Sequence, residues 1–505
     1  MVTRNNSDFS LENQIWESVN KLNSSLNPAE FKYIVLGLIF LKYFSDEFEK
    51  RYLELVEEGN GLEEDIDEYT AEGIFFVPQE ARWSEITRKA HSAENGIIID
   101  DAMRALEREN SSLRGILPKS YSSSDIDKIK LGEIIDLFTN IKKSNPEKLK
   151  NIFRSTFDYC LRKFAEEEGI GPGQFYTPNI VTKIMIEILR PEKGRIYDPC
   201  CGSGGFFIQS KQYVKENNGN INEISFYGQE INTTTWKLSK MNLAMHGTEV
   251  DLKEHPDDSF LNDLHSSLKA DYLVADPIFN EEWPREQLET DIRWIYGIPP
   301  ANNSNYAWIS HMIHHATSKG KIAIIMPNGS LSSGNNNEKR IRRKIIEDDL
   351  LEGIIALPNK LFYGSTIPAC LWFLNRNKKQ KGKTLFIDAK NMGTVSGSSC
   401  NLSDEEINFL ADIFTNFQNG ELEDELGFFK VADTEDIKKH DFIIVPGRYV
   451  GFKPAEDDGI PLEDKLTELY DELEILFEES HFLEDKIKNN LKEIILQKEN
   501  NNGEV

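Results

Sequence analysis

Apolar positions in the first 150 or so residues recur at three- and four-residue intervals, the period of helices that bury one face. The stretch Phe9-Ser10-Leu11-Glu12-Asn13-Gln14-Ile15-Trp16 follows this spacing, with Ser10 as a capping-type residue. Beyond Asn27-Pro28 a second segment runs through Phe31 to Leu55. Its first half is apolar on nearly every face, which predicts a helix buried among other helices. Gly73-Ile74-Phe75-Phe76-Val77-Pro78 is the one short strand candidate in this region. Residues 1–160 therefore read as an N-terminal helical domain.

From about residue 165 the pattern changes. Short apolar runs at Arg195–Tyr197, Ile224–Gly228, Tyr272–Ala275, Lys321–Met326, Leu351–Leu357 and Ala369–Asn375 alternate with amphipathic helical stretches. That alternation predicts an α/β domain over 161–455, with strands paired in parallel through crossover helices. Three runs end in short turns: Asp198-Pro199-Cys200-Cys201-Gly202, Glu230-Ile231-Asn232 and Asp276-Pro277-Ile278-Phe279. Ligands of open α/β sheets sit beyond such carboxyl strand ends. Residues 456–505 form a helical tail. Its Leu462, Leu466, Leu469, Leu473, Leu476, Leu483, Ile487, Leu491 and Ile494 keep a 4-3 spacing, interrupted at Ser480. About four such heptads suit either a coiled-coil surface or an amphipathic helix folded onto its own domain.

Composition narrows the options. The 505 residues carry 58 Lys+Arg against 85 Asp+Glu, a net charge of −27, so nucleic acid must meet local basic patches or a partner. The clearest basic clusters are Lys339–Lys344 and Arg376–Lys383, each readable as a solvated surface or a phosphate contact. Five cysteines without a C-x-x-C pair fit neither a disulfide scaffold nor a zinc ribbon. No signal-peptide core opens the chain, and its longest apolar run, Tyr33–Leu41, is far short of the roughly 20 residues that span a bilayer. A soluble, cytoplasmic protein is expected. His311, His314 and His315 have metal-compatible helical spacing, but Met312 and Ile313 between them favour a packing face, and no metal is expected.

The glycines of Asp198-Pro-Cys-Cys-Gly202-Ser203-Gly204-Gly205-Phe206 follow a strand and open a helix, where backbone can approach a ligand and N–H groups are free. Position 207 is Phe, so the dinucleotide fingerprint fails, and no Gly-Lys-Ser/Thr completes a phosphate loop. What remains suits a ligand with an amino-acid end, such as S-adenosylmethionine. Glu230 closes the next strand and can accept both ribose hydroxyls of an adenosine. Asp258 can meet the adenine amino group. At the third strand end, an aromatic amine is a poor nucleophile because its lone pair is delocalised. Asp276 Oδ and the Pro277 carbonyl can each accept one N–H and pull the nitrogen toward tetrahedral geometry. Phe279 can stack a base extruded from the duplex.

Taken in order, Gln174-Phe-Tyr-Thr-Pro-Asn179, Asp198-Pro-Cys-Cys-Gly-Ser-Gly-Gly205, Gly228-Gln-Glu230 and Ala270–Phe279 resemble the modification subunit of type I restriction–modification systems, an adenine-N6 DNA methyltransferase. Leu36–Asp46, Lys321–Ser332, Leu361–Phe373 and Pro446–Gly451 resemble the same family, so the likeness covers most of the chain. It implies a Rossmann-like, seven-strand-type methyltransferase core. Gln174, Phe175, Tyr176, Thr177, Pro178 and Asn179, with Asp198, Ser203, Gly204, Gly205 and Glu230, line its S-adenosylmethionine pocket, and Asp276, Pro277 and Phe279 form the adenine site. The implied partners are DNA, a specificity subunit, a restriction subunit and a second copy of this chain. The family's adenine motif reads Asn-Pro-Pro-Phe, so this chain departs at Asp276 and Ile278; a proline at 278 would lock φ and aim the Pro277 carbonyl. Two other readings stay open: an RNA or protein-glutamine methyltransferase, and a cofactor- and DNA-binding assembly subunit that transfers nothing.

Overall fold

The computed structural model describes residues 12, 15–18, 20, 28–141, 146–168, 176–362, 367–397, 399–452 and most of 466–488. Met1–Gly451 forms one compact unit and Phe452–Val505 a second.

The long apolar segment after Pro28 is a helix, Pro28–Glu58, with Phe31, Ile34, Val35, Leu36 and Leu38–Leu41 all buried. Its neighbour, the helix Pro146–Glu168, runs straight through the boundary expected at residue 160. Arg154 of that helix donates from Nη2 to the Tyr43 hydroxyl (3.0 Å) and from Nε to the Met245 carbonyl (2.8 Å), tying helical region to sheet region. Gly73–Pro78 forms no strand. Instead, Asn110 takes the part of a strand partner: its Oδ1 accepts from the Phe76 N–H (3.1 Å) and its Nδ2 donates to the Phe76 carbonyl (2.9 Å). The Ser10 helix start lies outside the described residues.

The α/β region is built on an eight-stranded sheet. Its strands are β1 (Gly194–Asp198), β2 (Ile224–Gly228), β3 (Ala270–Ala275), β4 (Ala316–Pro327), β5 (Leu351–Ala356), β6 (Ala369–Asn375), β7 (Lys383–Asp388) and β10 (Phe429–Asp433). A separate two-stranded ribbon pairs β8 (Thr394–Ser396) with β9 (Ser399–Asn401). The order across the sheet is β10-β7-β5-β6-β4-β3-β1-β2. All six runs read from the sequence are strands, but parallel pairing holds only in part. β2, β1, β3 and β4 are parallel, with Ile196 opposite both Phe226 and Tyr272. β6 is antiparallel to β4 and to β5. The reason is the link between β5 and β6, residues 357–368, whose described part holds no helix. Parallel return needs a crossover connection, whereas a direct link folds the chain back on itself.

The second unit contributes helix at the described residues from 466 to 488, where Leu466, Leu469, Leu473, Leu476, Leu483 and Ile487 are exposed. Leu462, Leu491 and Ile494 lie outside the described residues. No helix among the described residues is long and apolar enough to cross a membrane.

Candidate active site

β1, β2 and β3 are adjacent and parallel, so the turns at Asp198, Glu230 and Asp276 leave the sheet at one edge, side by side. Backbone bonds stitch the Asp198 and Glu230 turns together and tie the loop at Asp257 to them. Gln229 N–H donates to the Asp198 carbonyl (3.0 Å), Cys201 N–H to Gln229 (2.9 Å) and Asp257 N–H to Glu230 (3.0 Å). The helix Gly205–Glu216 starts there, and Gly204 before it holds φ +83°. A side chain at 204 would need the left-handed backbone, and its Cβ would stand 3.0 Å from Leu243 Cδ2 and 3.1 Å from Ser239 Oγ. Gly204→Ala is expected to lower stability by about 1–3 kcal/mol, measured by denaturant titration.

Glu230 is 7% exposed and accepts from the Gly202 N–H at Oε2 (3.1 Å) and from the Asn232 N–H at Oε1 (2.8 Å). Two bonds leave lone pairs free on both oxygens. Burial pushes its pKa up to about 6, against the pull of those N–H groups. Asp198, buried, accepts from Cys200 N–H (3.0 Å). Burial, followed by the charges of Asp276 and Glu230, raises its carboxyl well above the usual range. Asp276 is 3% exposed, and neither of its carboxyl oxygens has a hydrogen-bond partner among the described residues. Burial pushes it up to about 7; the nearby Thr177 hydroxyl offsets part of the rise without reaching hydrogen-bond geometry. A buried, unpartnered carboxyl is costly, and such groups persist where they have a task.

The strand-end turns open onto a cavity of about 180 Å³, lined by Glu230, Asp258, Phe260, Ile278, Trp283 and Trp308 among others. Asp258 Oδ1 accepts from Phe260 N–H (2.7 Å) and Leu261 N–H (3.3 Å), which shapes its loop. Ser203 is buried and its carbonyl accepts from Asn242 Nδ2 (2.9 Å). Gly205 has open space beside it apart from Thr182. Tyr176, Thr177 and Pro178 lead into the helix Asn179–Leu189, and Tyr176 donates to Asn179 Oδ1 (3.2 Å). Gln174 and Phe175 lie outside the described residues. Pro277 is buried beside Asp276. Phe279 is also buried, packed into the main core. Stacking a base on that ring therefore requires its neighbours to move.

Sequence reasoning passed over Phe260, Trp283, Trp308 and Arg293. Phe260, Trp283 and Arg293 sit in loops without periodicity and Trp308 on the helix Asn305–His315, and only the closing of those loops makes them neighbours. His311 and His315 are fully buried in the helix Asn305–His315. With Asp263 they bring possible ligand atoms within 4.8 Å of one another. Both rings are already engaged: His315 with the Leu268 carbonyl and Asp263, His311 with Tyr197 and Arg293. The basic clusters are partly internal as well. Arg342 is buried against the Phe442 carbonyl (2.9 Å), and Lys378 is buried and paired with Asp349 (2.5 Å).

Comparison with known proteins follows the same lines. The N-6 DNA Methylase family pattern matches residues 148–458, more than half of the chain. The chain belongs to this family. The HsdM N-terminal domain pattern matches residues 11–138. The type I restriction enzyme MjaIX methylase subunit of Methanocaldococcus jannaschii is 39% identical over 96% of this chain and 90% of its own length. The HindI methylase subunit of Haemophilus influenzae is 41% identical over 82% of this chain and 99% of its own. These place it among the type I methylase subunits. The fold of a type I methyltransferase subunit from Streptococcus thermophilus matches with TM-score 0.73 at 22% identity, covering 88% of this chain and 99% of that one.

Proposed function

We propose that this methylase subunit transfers a methyl group from S-adenosylmethionine to N6 of adenine in duplex DNA, within a type I restriction–modification complex. The observation that carries the reading is Asp276: a buried carboxyl with no hydrogen-bond partner among the described residues, at the end of β3, beside the turns that hold Glu230 and Gly202.

The residues present fit the cofactor. Glu230 has lone pairs free for two ribose hydroxyls, Asp258 and Phe260 wall the cavity that takes the adenine end, and the Gly202–Gly205 turn admits the amino-acid end. When bound, S-adenosylmethionine supplies an electrophilic methyl group. Asp276 and the Pro277 carbonyl each accept one N–H of the target amine. That localises the nitrogen lone pair and draws off positive charge as the bond to carbon forms. The buried setting strengthens both bonds, because water does not compete there.

A specificity subunit selects the sequence, consistent with a net charge of −27 on the catalytic chain. A restriction subunit and a second copy of this chain complete the assembly. The exposed stripe Leu466, Leu469, Leu473, Leu476, Leu483 and Ile487 is the surface for helices of the specificity subunit. Removing residues 458–505 is expected to abolish co-purification with that subunit while cofactor affinity stays unchanged; loss of cofactor binding would place the tail in the core instead.

Single-turnover methylation by the complex on duplex containing its site tests the whole reading. Ile278 adds one comparison. Ile278→Pro, which aims the Pro277 carbonyl by fixing φ, is expected to raise the rate roughly fivefold, about 1 kcal/mol of one hydrogen bond, with cofactor affinity unchanged. Transfer that appears only in an Asp276→Asn, Ile278→Pro double variant would leave a binding subunit on a methyltransferase fold.

A further inference from the structure

Between Phe279 and the helix Asn305–His315 the chain makes an excursion, residues 280–304, that closes on itself. Trp283 Nε1 donates to the Pro300 carbonyl (2.6 Å), Trp294 Nε1 to Leu288 (2.7 Å), and Ser304 N–H to Glu281 (2.8 Å). From this excursion one arginine, Arg293, reaches back behind the cofactor cavity. It is 5% exposed.

All five of its N–H groups are used. Nε and Nη2 grip the two oxygens of Asp291 (2.8 and 2.7 Å). Nη1 donates to the Ser259 carbonyl (2.9 Å), and Nη2 to the Phe260 carbonyl (2.6 Å). The remaining Nη1 hydrogen points to His311 Nδ1 (3.1 Å), which must be unprotonated to accept it. Burial and surrounding cations hold the His311 pKa well below the usual imidazole value, in keeping with that role. A lone buried guanidinium is costly; one with every donor satisfied holds its acceptors in place.

What it holds is a cavity wall. Ser259 Oγ donates to the Pro199 carbonyl (2.5 Å), and the Phe260 ring lies 4.3 Å from Trp308 and 5.5 Å from Trp283, centre to centre. The carbonyls on either side of that wall residue both end on Arg293. We propose that Arg293 is a positioning residue for the cofactor, holding the wall 258–260 where it receives the adenine end and tying it to the segment that follows the base motif. This rests on S-adenosylmethionine being the cofactor, as proposed above.

The test measures S-adenosylmethionine binding by calorimetry and single-turnover transfer at saturating cofactor, with the full chain in its complex. Arg293→Lys leaves one point charge that cannot meet two carbonyls and a carboxylate at once. It is expected to weaken cofactor binding about tenfold, and Arg293→Met more, while the saturated rate and the KM for DNA stay within about threefold of the parent. Asp291→Asn keeps the guanidinium but loosens its grip, and is expected to weaken binding about threefold. It decides the matter if the Arg293 variants fail to fold. Unchanged affinity in folded Arg293→Lys and in Asp291→Asn overturns the proposal, as does a fall in saturated rate with affinity intact. Absence of S-adenosylmethionine binding by the parent complex would strike down the cofactor reading itself, a separate outcome.

Discussion

Asp276→Ala is expected to reduce methyl transfer by about 100- to 1,000-fold, the cost of removing a preorganised group from the place where charge develops. The carboxyl sits at the end of β3 with both oxygens unpartnered among the described residues, so the deletion breaks no hydrogen bond there and removes only the acceptor proposed for the substrate. Folding should survive, because an uncompensated buried carboxyl is not a source of stability. The pH dependence gives a sharper signature. Burial raises this group to about 7. Below that value the carboxyl keeps its proton and cannot neutralise the charge that grows on the amine nitrogen; above it, the carboxylate can. Transfer at saturating cofactor should therefore rise as pH increases through 7 and level off. Asp276→Asn has no proton to lose, so its profile should stay flat between about pH 6 and 8. Single-turnover rates across that range check both statements. A sloping profile in the Asn variant would assign the titration to another group.

The second large effect belongs to Glu230. Replacing it by Ala removes the charged acceptor proposed for the ribose, and S-adenosylmethionine binding is expected to weaken by about 1.5–3 kcal/mol, roughly 10- to 150-fold. The Gly202 and Asn232 N–H groups also lose their acceptor, so part of the cost comes from a looser glycine turn. Glu230→Gln retains an acceptor oxygen and should fall between parent and Ala variant. Calorimetry on the folded proteins measures it, and unchanged affinity in Glu230→Ala would remove this residue from the pocket. Because burial puts Glu230 near 6, cofactor affinity should also decline as pH falls through that value, when the acceptor takes up a proton.

Much of this architecture is legible along the chain because it depends on neighbours in sequence. The helix Pro28–Glu58 follows from a first half that is apolar on nearly every face, and the strand cores from runs of β-branched and aromatic residues between turns. Turn chemistry is equally local. An acid or a glycine at the end of a parallel strand has few places to point, which is why Asp198, Gly204, Glu230 and Asp276 stand out before any coordinates do. β7 and β10 are harder: they pair with each other antiparallel at the end of the sheet away from β1 and β2, and neither closes in a turn that carries candidate chemistry.

Sequence alone determined that the candidate residues Asp198, Glu230 and Asp276 lie at the ends of neighbouring strands. Tertiary structure alone decided three things. It turned β6 against its neighbours, since strand direction depends on whether the connecting link holds a helix, and residues 357–368 show none where described. It set the charge states, because the raised pKa values of Glu230 and Asp276 arise from burial by residues far away in the chain. And it brought Arg293 to the carbonyls of Ser259 and Phe260, more than thirty residues earlier, a meeting made by loop closure and one guanidinium's reach. Periodicity reports the face a residue shows its own element; it carries no information about which loop arrives from elsewhere to meet it.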